Sequence, residues 1–280
     1  MHKLSINKKD LQKFETFLRD SEKSCHTIEK YIRDIINFFE FSINRKITKA
    51  LLLEYKESLQ NKYSMSSANS MISSLNSFLC FCGYDSMRLK QFKLQRSVYC
   101  PESKELTKDE YSALISAAKA RNNARLSLII QALCATGMRV SELEFITVEA
   151  AKKGEAVVTS KGKTRTVFLV SHLCKKLLTY CKENNVKSGC VFVTKNGRPL
   201  NRSNIWKDMK KLCETANVDP QKVFPHNLRH LFARTFYSLE KDLAKLADIL
   251  GHSNINTTRI YIISTGAEHK RKIERMHLIM

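Results

Sequence analysis

Three short segments of the sequence carry side chains suited to chemistry at a phosphodiester. The segments read ATGMRVSEL, PHNLRH and LGHSNINTTRIY. Among their side chains are two guanidiniums, two imidazoles and a phenol, those of Arg139, Arg229, His226, His252 and Tyr261. A guanidinium binds phosphate oxygens through two parallel hydrogen bonds, and a phenol attacks phosphorus once its proton is removed or its anion is stabilised. These five side chains are therefore candidates for phosphoryl transfer.

The spacing within each segment indicates how its side chains are presented. Gly137 ends one predicted helix, Arg139 opens the next element, and Glu142 lies one turn further on, where it could orient the guanidinium. His226 and Arg229 are three residues apart and so share one face of a predicted helix. That face would combine a phosphate clamp with a group able to transfer a proton.

The second segment also allows a different interpretation. His226 and His230 are four residues apart, the spacing of the zinc-binding motif HExxH, in which a Glu after the first His is the general base. That position holds Asn227 here, so the sequence disfavours a metalloprotease. Two hydrogen-bonded structural histidines remain the simpler alternative for this segment taken alone.

A predicted β-hairpin separates the first two segments. Two strand-like runs, 155–160 and 164–170, flank the sequence Lys161-Gly162-Lys163. Their composition and the glycine between them are typical of two antiparallel strands joined by a tight turn. The hairpin would carry lysines at its tip.

Helices are predicted for most of the remaining chain. Residues 1–86 show the apolar spacing of four short helices. Residues 87–105 alternate basic and apolar residues and are predicted to be a basic linker, with Lys90, Lys93 and Arg96 as DNA contacts. From residue 106 a second domain begins, with helices over 107–120, 124–136, 171–184, 203–216, 226–239, 242–250 and 257–262, a strand over 191–194, and a final basic helix over 268–280.

The composition limits the classes of partner. The 280 residues include 48 Lys and Arg against 27 Asp and Glu, a formal charge of +21 that is spread over both domains. Such a charge favours a polyanionic partner, above all nucleic acid. The sequence has no apolar run of membrane-spanning length and no signal peptide, and its nine cysteines form no CxxC pair. We therefore expect a cytoplasmic protein with reduced thiols, located at the nucleoid when bound to DNA.

The sequence also predicts that no metal or nucleotide cofactor takes part. None of the three segments holds a carboxylate cluster suited to two magnesium ions, and no GxxxxGK[ST] loop for ATP is present. The guanidiniums, imidazoles and a lysine would supply the charge and hydrogen bonds that phosphoryl transfer at a diester requires.

The ordered set of motifs resembles the tyrosine recombinase (phage integrase) family. The resemblance covers residues 105–275, and the pattern Ser24-x-x-Thr27-x-x-x-Tyr31-x-x-Asp34 is similar to the opening of that family's helical core-binding domain. It implies a mainly α fold with a small β component. In that arrangement a core-binding bundle (1–86) and a linker (87–105) precede a mixed α/β catalytic domain with a C-terminal exchange segment (106–280).

The resemblance assigns a role to each candidate. Arg139 and Arg229 would hold the non-bridging oxygens of the scissile phosphate, and His252 would hydrogen-bond the same group. His226 would transfer a proton near the nucleophile. Tyr261 would attack the phosphate and form a covalent 3′-phosphotyrosine, so that strands are cut and rejoined without metal or ATP.

The hairpin departs from the family pattern. The family usually reads GKGxKxR with its first lysine catalytic, whereas this hairpin reads KGKTR and is one residue shorter. Lys161 precedes the glycine as in the family and is the predicted general acid, with Lys163 kept as the alternative. Lys163 and Arg165 are predicted to contact DNA. Glu142 would support the catalytic side chains without itself contacting the phosphate.

The same resemblance implies a site-specific recombinase or integrase that acts on double-stranded DNA. It would work as a homotetramer on two duplexes, with a partner recombinase or accessory protein left open. Chromosome-dimer resolution and the mobility of a phage or transposon also remain open. Two alternatives stay beside it: a type IB topoisomerase, which would rejoin each strand only to itself, and a DNA-binding accessory protein that does not cut.

Overall fold

The chain forms two compact units in a computed structural model, which describes residues 8–43, 45–94, 104–160, 162–194, 196–262 and 274–276. One unit comprises Met1–Arg96 and the other Ser97–Met280. Helices dominate both, and a single two-stranded sheet lies in the second. The mainly α fold with a small β component that the sequence predicts is confirmed.

The first unit is built from four helices. They are α1 (Lys8–Asp20), α2 (Cys25–Phe41), α3 (Lys49–Lys62) and α4 (Met65–Phe81), followed by a 3₁₀ turn, Asp85–Met87. Ser24, Thr48 and Ser64 cap α2, α3 and α4, and each side-chain oxygen accepts a backbone N–H of the first turn. Caps of this kind stabilise a helix by about 1 kcal/mol each and fix where it begins.

Aromatic side chains fill the interior of this bundle. Phe14 of α1, Phe38 of α2 and Phe78 of α4 are all fully buried. The rings of Phe14 and Phe78 meet edge to face with centroids 5.1 Å apart, an arrangement that aromatic pairs favour. Burying each such ring contributes about 1.5–3 kcal/mol, so the three helices are held mainly by this core.

Two asparagines on α4 bind the chain that leaves the bundle. Nδ2 of Asn69 donates to the carbonyl of Phe92 and its Oδ1 accepts the N–H of Phe92, at 2.9 and 2.7 Å. Asn76, two turns along the same helix, makes the equivalent pair with Leu89. Residues 88–94, which the sequence places in the linker, therefore lie extended along α4.

The second unit contains nine α-helices and a hairpin within its described residues. They are α5 (Lys108–Ala120), α6 (Ala124–Thr136), α7 (Val148–Lys153), β1 (Glu155–Ser160), β2 (Lys163–Phe168), α8 (Ser171–Glu183), α9 (Arg202–Lys210), α10 (Cys213–Ala216), α11 (Pro225–Glu240), α12 (Leu243–Leu250) and α13 (Ile255–Arg259). Three 3₁₀ turns, Val140–Phe145, Pro220–Lys222 and Ile260–Ile262, complete it.

Helix α6 is the central element of this unit. It packs against α5, α8, α9 and α11, and residues on most of its circumference are buried. Ile130, Ala132 and Leu133 are inaccessible to solvent. A helix that is apolar on most sides must lie in a core, and this one carries its C-terminal end, with Gly137, into the centre of the unit.

Three sequence predictions differ from the structure. Residues 191–194 form no strand, and only isolated bridges join Thr147 to Cys190 and Val193 to Pro199. The helix expected over 203–216 is divided into α9 and α10. The helix expected over 257–262 is α13 followed by a 3₁₀ turn. Short apolar runs do not by themselves distinguish a strand from a loop packed into a core.

The hairpin is regular and its two faces differ. Ser160 pairs with Lys163 and Val158 with Arg165, and Gly162, just before Lys163, has φ +73°. Ala156, Val158 and Val167 point into the core, whereas Val157 and Phe168 are exposed. Because side chains alternate along a strand, Arg165 shares the inward face with Val167.

Within the described residues, no helix has the length and apolar character needed to cross a membrane. The final basic helix predicted over 268–280 lies outside the described residues, apart from 274–276.

We expect Asn69→Ala to loosen residues 88–94 from α4, because two hydrogen bonds to the backbone of Phe92 are lost. A polar group left unsatisfied in this way typically costs about 1–3 kcal/mol. Trypsin should then cut after Lys93, which is exposed on this segment, faster than in the unaltered chain. Asn61→Ala, at an exposed position on α3, is the control. Equal cleavage rates in the two variants would contradict the clamping role of Asn69.

Candidate active site

A buried guanidinium lies at the centre of the candidate site. Arg229 on α11 is 1% exposed, and it donates to the carbonyl of Gly137 at 2.7 Å and to the carbonyl of Leu250 at 2.8 Å. These carbonyls stand at the C-terminal ends of α6 and α12, each closed by a left-handed glycine. Helix C-termini carry partial negative charge, so the two ends together offset the burial of the cation.

Gly137 is required by a close approach as well as by its backbone conformation. Its φ is +63°, and a Cβ at this position would lie 2.4 Å from Cδ1 of Phe232 on α11. No other residue combines that torsion with so little space. The glycine thus lets the end of α6 reach the helix that carries Arg229.

The environment of Arg229 is poor in water and rich in positive charge. Burial, and then the charge of Arg139, lower its pKa to about 10, which leaves it protonated at neutral pH. Its Nε is buried and, among the described residues, has no hydrogen-bond acceptor. Such an unsatisfied buried donor is unusual, because buried polar groups in proteins are normally hydrogen-bonded.

Arg139 is held by Glu142, as the sequence predicts, through an arrangement that resembles a capping box. The carboxylate accepts the backbone N–H of Arg139 at 2.7 Å and its Nη1 at 2.9 Å. Glu142 is buried, whereas the Arg139 side chain is 40% exposed. The carboxylate therefore fixes one edge of the guanidinium and leaves the remaining N–H groups facing solvent, where a phosphate could approach.

The hairpin brings a second arginine to the same carboxylate. Arg165 on β2 donates to Glu142 through both Nη atoms, and its side chain is 15% exposed. Lys163 is exposed at the start of β2. Lys161, the predicted general acid, lies outside the described residues, so its place in the site remains a prediction.

Three other lysine and arginine predictions concern the first unit. Lys90 and Lys93 are exposed on the segment bound to α4, and Arg96 lies outside the described residues. Leu89, which directly precedes Lys90, is buried against the bundle. The alternation of basic and apolar residues thus reflects one side packed on α4 and one side open, and DNA contact by these side chains stays a prediction.

Tyr261 and His226 are in hydrogen-bond contact. Oη of Tyr261 lies 3.1 Å from Nε2 of His226, and the tyrosine is 6% exposed. Burial, and then the charge of Arg229, lower the pKa of His226. The imidazole is therefore neutral at neutral pH, and its Nε2 can accept the phenolic proton.

His252 is held by hydrogen bonds on both ring nitrogens. An arginine only donates, so the 2.8 Å contact with Nη2 of Arg229 makes Nε2 of His252 an acceptor. The proton then resides on Nδ1, which donates to Oγ1 of the fully buried Thr258 at 2.8 Å. Burial, and then the charge of Arg229, lower the pKa of His252 to about 4.

His230 lies next to Tyr261. The sequence indicated only two roles for this histidine, a zinc ligand or a structural residue. Its ring centroid lies 4.3 Å from that of Tyr261 and 5.1 Å from that of His226. His230 follows His226 by one helical turn, and this spacing is the sequence signal that both histidines lie beside the same group. Among the described residues, no cluster of three or more His, Cys, Asp or Glu side chains could hold a metal ion.

Acid should destabilise the second unit through these histidines. Burial lowers the pKa values of His230 and His252 to about 4, from 6.5 for a histidine in the unfolded chain. Between those values the unfolded state binds more protons, so stability is full above pH 6.5 and falls as the pH drops toward 4. The melting temperature measured from pH 7.5 to 4.5 should show this fall. His230→Phe should make this fall in melting temperature smaller, whereas His172→Gln, at an exposed site, should leave it unchanged. A fall in His230→Phe as large as that of the unaltered chain would contradict the expectation.

The tautomer of His252 provides a second test. Two-bond ¹⁵N–¹H spectra of the unaltered chain should show the proton on Nδ1. Thr258→Val removes the acceptor for that proton while keeping the shape of the side chain, so the signal should shift toward a mixture of tautomers. Thr257→Val, at the exposed neighbouring position, should leave the spectrum unchanged. A proton on Nε2 in the unaltered chain would show that the Arg229 contact is absent in solution.

Comparison with known proteins identifies the family. The model of the phage integrase family matches residues 104–268, more than half of the chain. The tyrosine recombinase XerA of Pyrococcus horikoshii is 30% identical over 283 residues, which cover 98% of this chain and 95% of XerA.

Solved structures share the fold. The XerH site-specific recombinase bound to difH substrate aligns with a TM-score of 0.69 at 21% identity, covering 96% of this chain and 85% of that one. A lambda integrase tetramer bound to a Holliday junction aligns with a TM-score of 0.72 at 18% identity, covering 90% and 76%. The resemblance found in the sequence is thereby confirmed: the chain belongs to the phage integrase family of tyrosine recombinases.

Proposed function

We propose that this chain is a site-specific DNA recombinase that cuts and rejoins strands through a covalent bond between Tyr261 and DNA. The observation that carries the proposal is the contact of the Tyr261 hydroxyl with Nε2 of His226, next to the buried guanidinium of Arg229. Two segments that are separate in the sequence contribute a nucleophile, a proton acceptor and an anion-binding group to one place.

Tyr261, His226 and a hairpin lysine account for every bond and proton in the proposed cleavage step. Oη of Tyr261 attacks the scissile phosphorus while its proton passes to Nε2 of His226, which is neutral because burial lowers its pKa. The new P–O bond makes a 3′-phosphotyrosine, and the bond from phosphorus to the 5′ oxygen breaks. A lysine of the hairpin gives its proton to that oxygen. The diester is conserved, so rejoining is the same step run backward with a new 5′ hydroxyl.

The arginines have the chemistry to stabilise the transition state. Arg139 presents the solvent-facing edge of its guanidinium, and Arg229 has an unused Nε–H. Preorganised donors of this kind act without reorganising when charge develops, and losing one typically lowers kcat about 10²–10³-fold. His252 would add a hydrogen bond to the phosphate only after its Nε2 exchanges the Arg229 donor for a proton of its own.

The general acid is assigned to the hairpin by its chemistry. A 5′ alkoxide is a poor leaving group unless it is protonated, and a lysine ammonium can supply that proton. We propose Lys161 for this role, with Lys163, exposed at the start of β2, as the alternative.

Duplex DNA is the proposed substrate of both units. The formal charge of +21 suits a polyanion, with the bundle over 1–86 as a DNA-binding domain and residues 106–280 as the catalytic domain. With roughly ten phosphate contacts, log Kd should change with log salt with a slope near 9. The lambda integrase tetramer on a Holliday junction supports a proposed tetramer that joins two duplexes.

A covalent trap tests the nucleophile. Duplex DNA that flanks the gene for this chain, nicked so that the cleaved end diffuses away, is mixed with the protein in EDTA and then denatured in SDS. We expect a protein–DNA adduct that Tyr261→Phe abolishes, because no other hydroxyl replaces the phenol. Tyr237→Phe, a half-buried tyrosine of α11, should keep the adduct. An adduct that survives in Tyr261→Phe would contradict the proposal.

A second readout separates recombination from strand relaxation. When an intact duplex and a second labelled duplex are supplied together, a recombinase joins strands between them, whereas a relaxing enzyme rejoins each strand to itself. We expect joint molecules containing both labels. Relaxed circles without joint molecules would contradict the recombinase proposal while leaving the tyrosine chemistry intact.

A further inference from the structure

We propose that Arg165 is a positioning residue for strand cleavage: it anchors the β1–β2 hairpin, and with it the general-acid lysine, to the segments that carry Arg139 and His252. This inference rests on the proposed function. The sequence predicts Arg165 to be a DNA contact, whereas its position in the structure favours a positioning role.

The guanidinium of Arg165 is already occupied by protein acceptors. Nη1 and Nη2 donate to the two oxygens of Glu142 at 3.2 and 2.9 Å, and Nε donates to the carbonyl of Ile249 at 3.3 Å. Each of its three nitrogens thus has a partner, and the side chain is 15% exposed. A guanidinium that binds a DNA phosphate needs accessible N–H groups, and this one offers few.

The contact with Glu142 joins the hairpin to the Arg139 segment. The buried carboxylate receives two donors from Arg139 and two from Arg165, so one anion holds both arginines. The planar fork of a guanidinium matches a carboxylate in a way that an ammonium does not. Arg139 keeps its own two hydrogen bonds to Glu142 if Arg165 is lost, whereas the hairpin loses this attachment.

The opposite edge of Arg165 joins the hairpin to the His252 segment. A Cβ at position 251 would lie 2.7 Å from Cδ of Arg165, so Gly251, with φ +66°, leaves the space through which the arginine passes. The next residue is His252. Arg165 is therefore packed between the two segments that flank the proposed phosphate site.

The strand register explains why the hairpin depends on this residue. Arg165 lies opposite Val158, three pairs from the end at Glu155 and two from the last pair, Ser160 with Lys163. Val158 and Val167 are buried and hold the base of the hairpin in the core, and Arg165 is hydrogen-bonded to Glu142 on the same face, nearer the tip. Without Arg165, this attachment between the base and the end that carries the lysines is lost.

The test compares Arg165→Ala and Arg165→Lys with the unaltered chain, in single-turnover cleavage at saturating protein. We expect both variants to cleave about 100-fold more slowly, since a displacement of about 1 Å of a catalytic group has effects of this size. The salt dependence of DNA binding should not change. If Arg165 contacts a phosphate instead, Arg165→Ala lowers the log–log salt slope by about 1 and Arg165→Lys behaves nearly as the unaltered chain does.

A modified substrate shows which step Arg165 serves. When sulfur replaces the leaving 5′ oxygen, the thiolate departs without being protonated. The rate defect of the Arg165 variants should then shrink at least tenfold relative to the normal substrate, which a general loss of structure would not produce. Arg121→Ala, an exposed arginine bound to Thr215, is the matched control and should cleave both substrates as the unaltered chain does.

The outcomes are separable. If the unaltered chain cleaves neither substrate, the proposed function fails. If it cleaves but Arg165→Lys keeps the full rate, or if the sulfur substrate gives no rescue, the positioning role is overturned and the proposed function stands. Should Arg165→Ala not fold, judged by its melting curve, Arg165→Lys decides, because it retains the charge and removes only the fork.

Discussion

The arrangement of the second unit depends on burying one cation, Arg229, between two helix ends. An isolated guanidinium in a core would be strongly unfavourable, and here the carbonyl ends of α6 and α12 supply the acceptors and the partial negative charge that offset it. The same contacts determine where the chain goes next. Arg139 lies two residues after Gly137, which closes α6, and His252 lies two residues after Leu250, the last residue of α12. Both side chains therefore leave the helix ends beside the guanidinium. One hydrogen-bonded cation thus brings the three chemical segments together.

Charge in the site is carried by guanidiniums rather than by histidines. Burial and the neighbouring arginines lower the pKa values of His230 and His252 to about 4, so at neutral pH these rings contribute hydrogen bonds and packing but no charge. Glu142 is the carboxylate that partners Arg139 and Arg165 directly, and it leaves an excess of positive charge at Arg229. Such a site favours an anionic ligand. It also keeps an acceptor nitrogen available beside Tyr261, which a charged imidazole would not offer.

Different interactions stabilise the two units. The second is organised around an apolar helix and buried charge, whereas the first combines an aromatic core with amide side chains that bind backbone. Asn69 and Asn76 each pair with both polar groups of one residue, as a neighbouring strand would, and this fixes an extended segment on a helix without a sheet. Residues 88–94, which by composition belong to the predicted linker, are therefore bound to the first unit, with Leu89 buried and Lys90 and Lys93 exposed.

Local patterns in the sequence determined the helices, their caps, the hairpin and the family, since apolar period, capping residues and motif order all act over a few residues. They also indicated Arg139, Glu142, His226, Arg229, His252 and Tyr261, whose residue types are suited to phosphoryl transfer. Only the tertiary structure decided the partners. That Arg165 turns inward to Glu142, that His230 lies against Tyr261, and that Thr258 accepts the proton of His252 depend on contacts between different elements, separated by 6 to about 30 residues in the sequence. Strand alternation alone places Arg165 on the same face as Val167. An arginine on an inward face is stable only where it pairs with a buried anion, and no local sequence pattern reveals that anion.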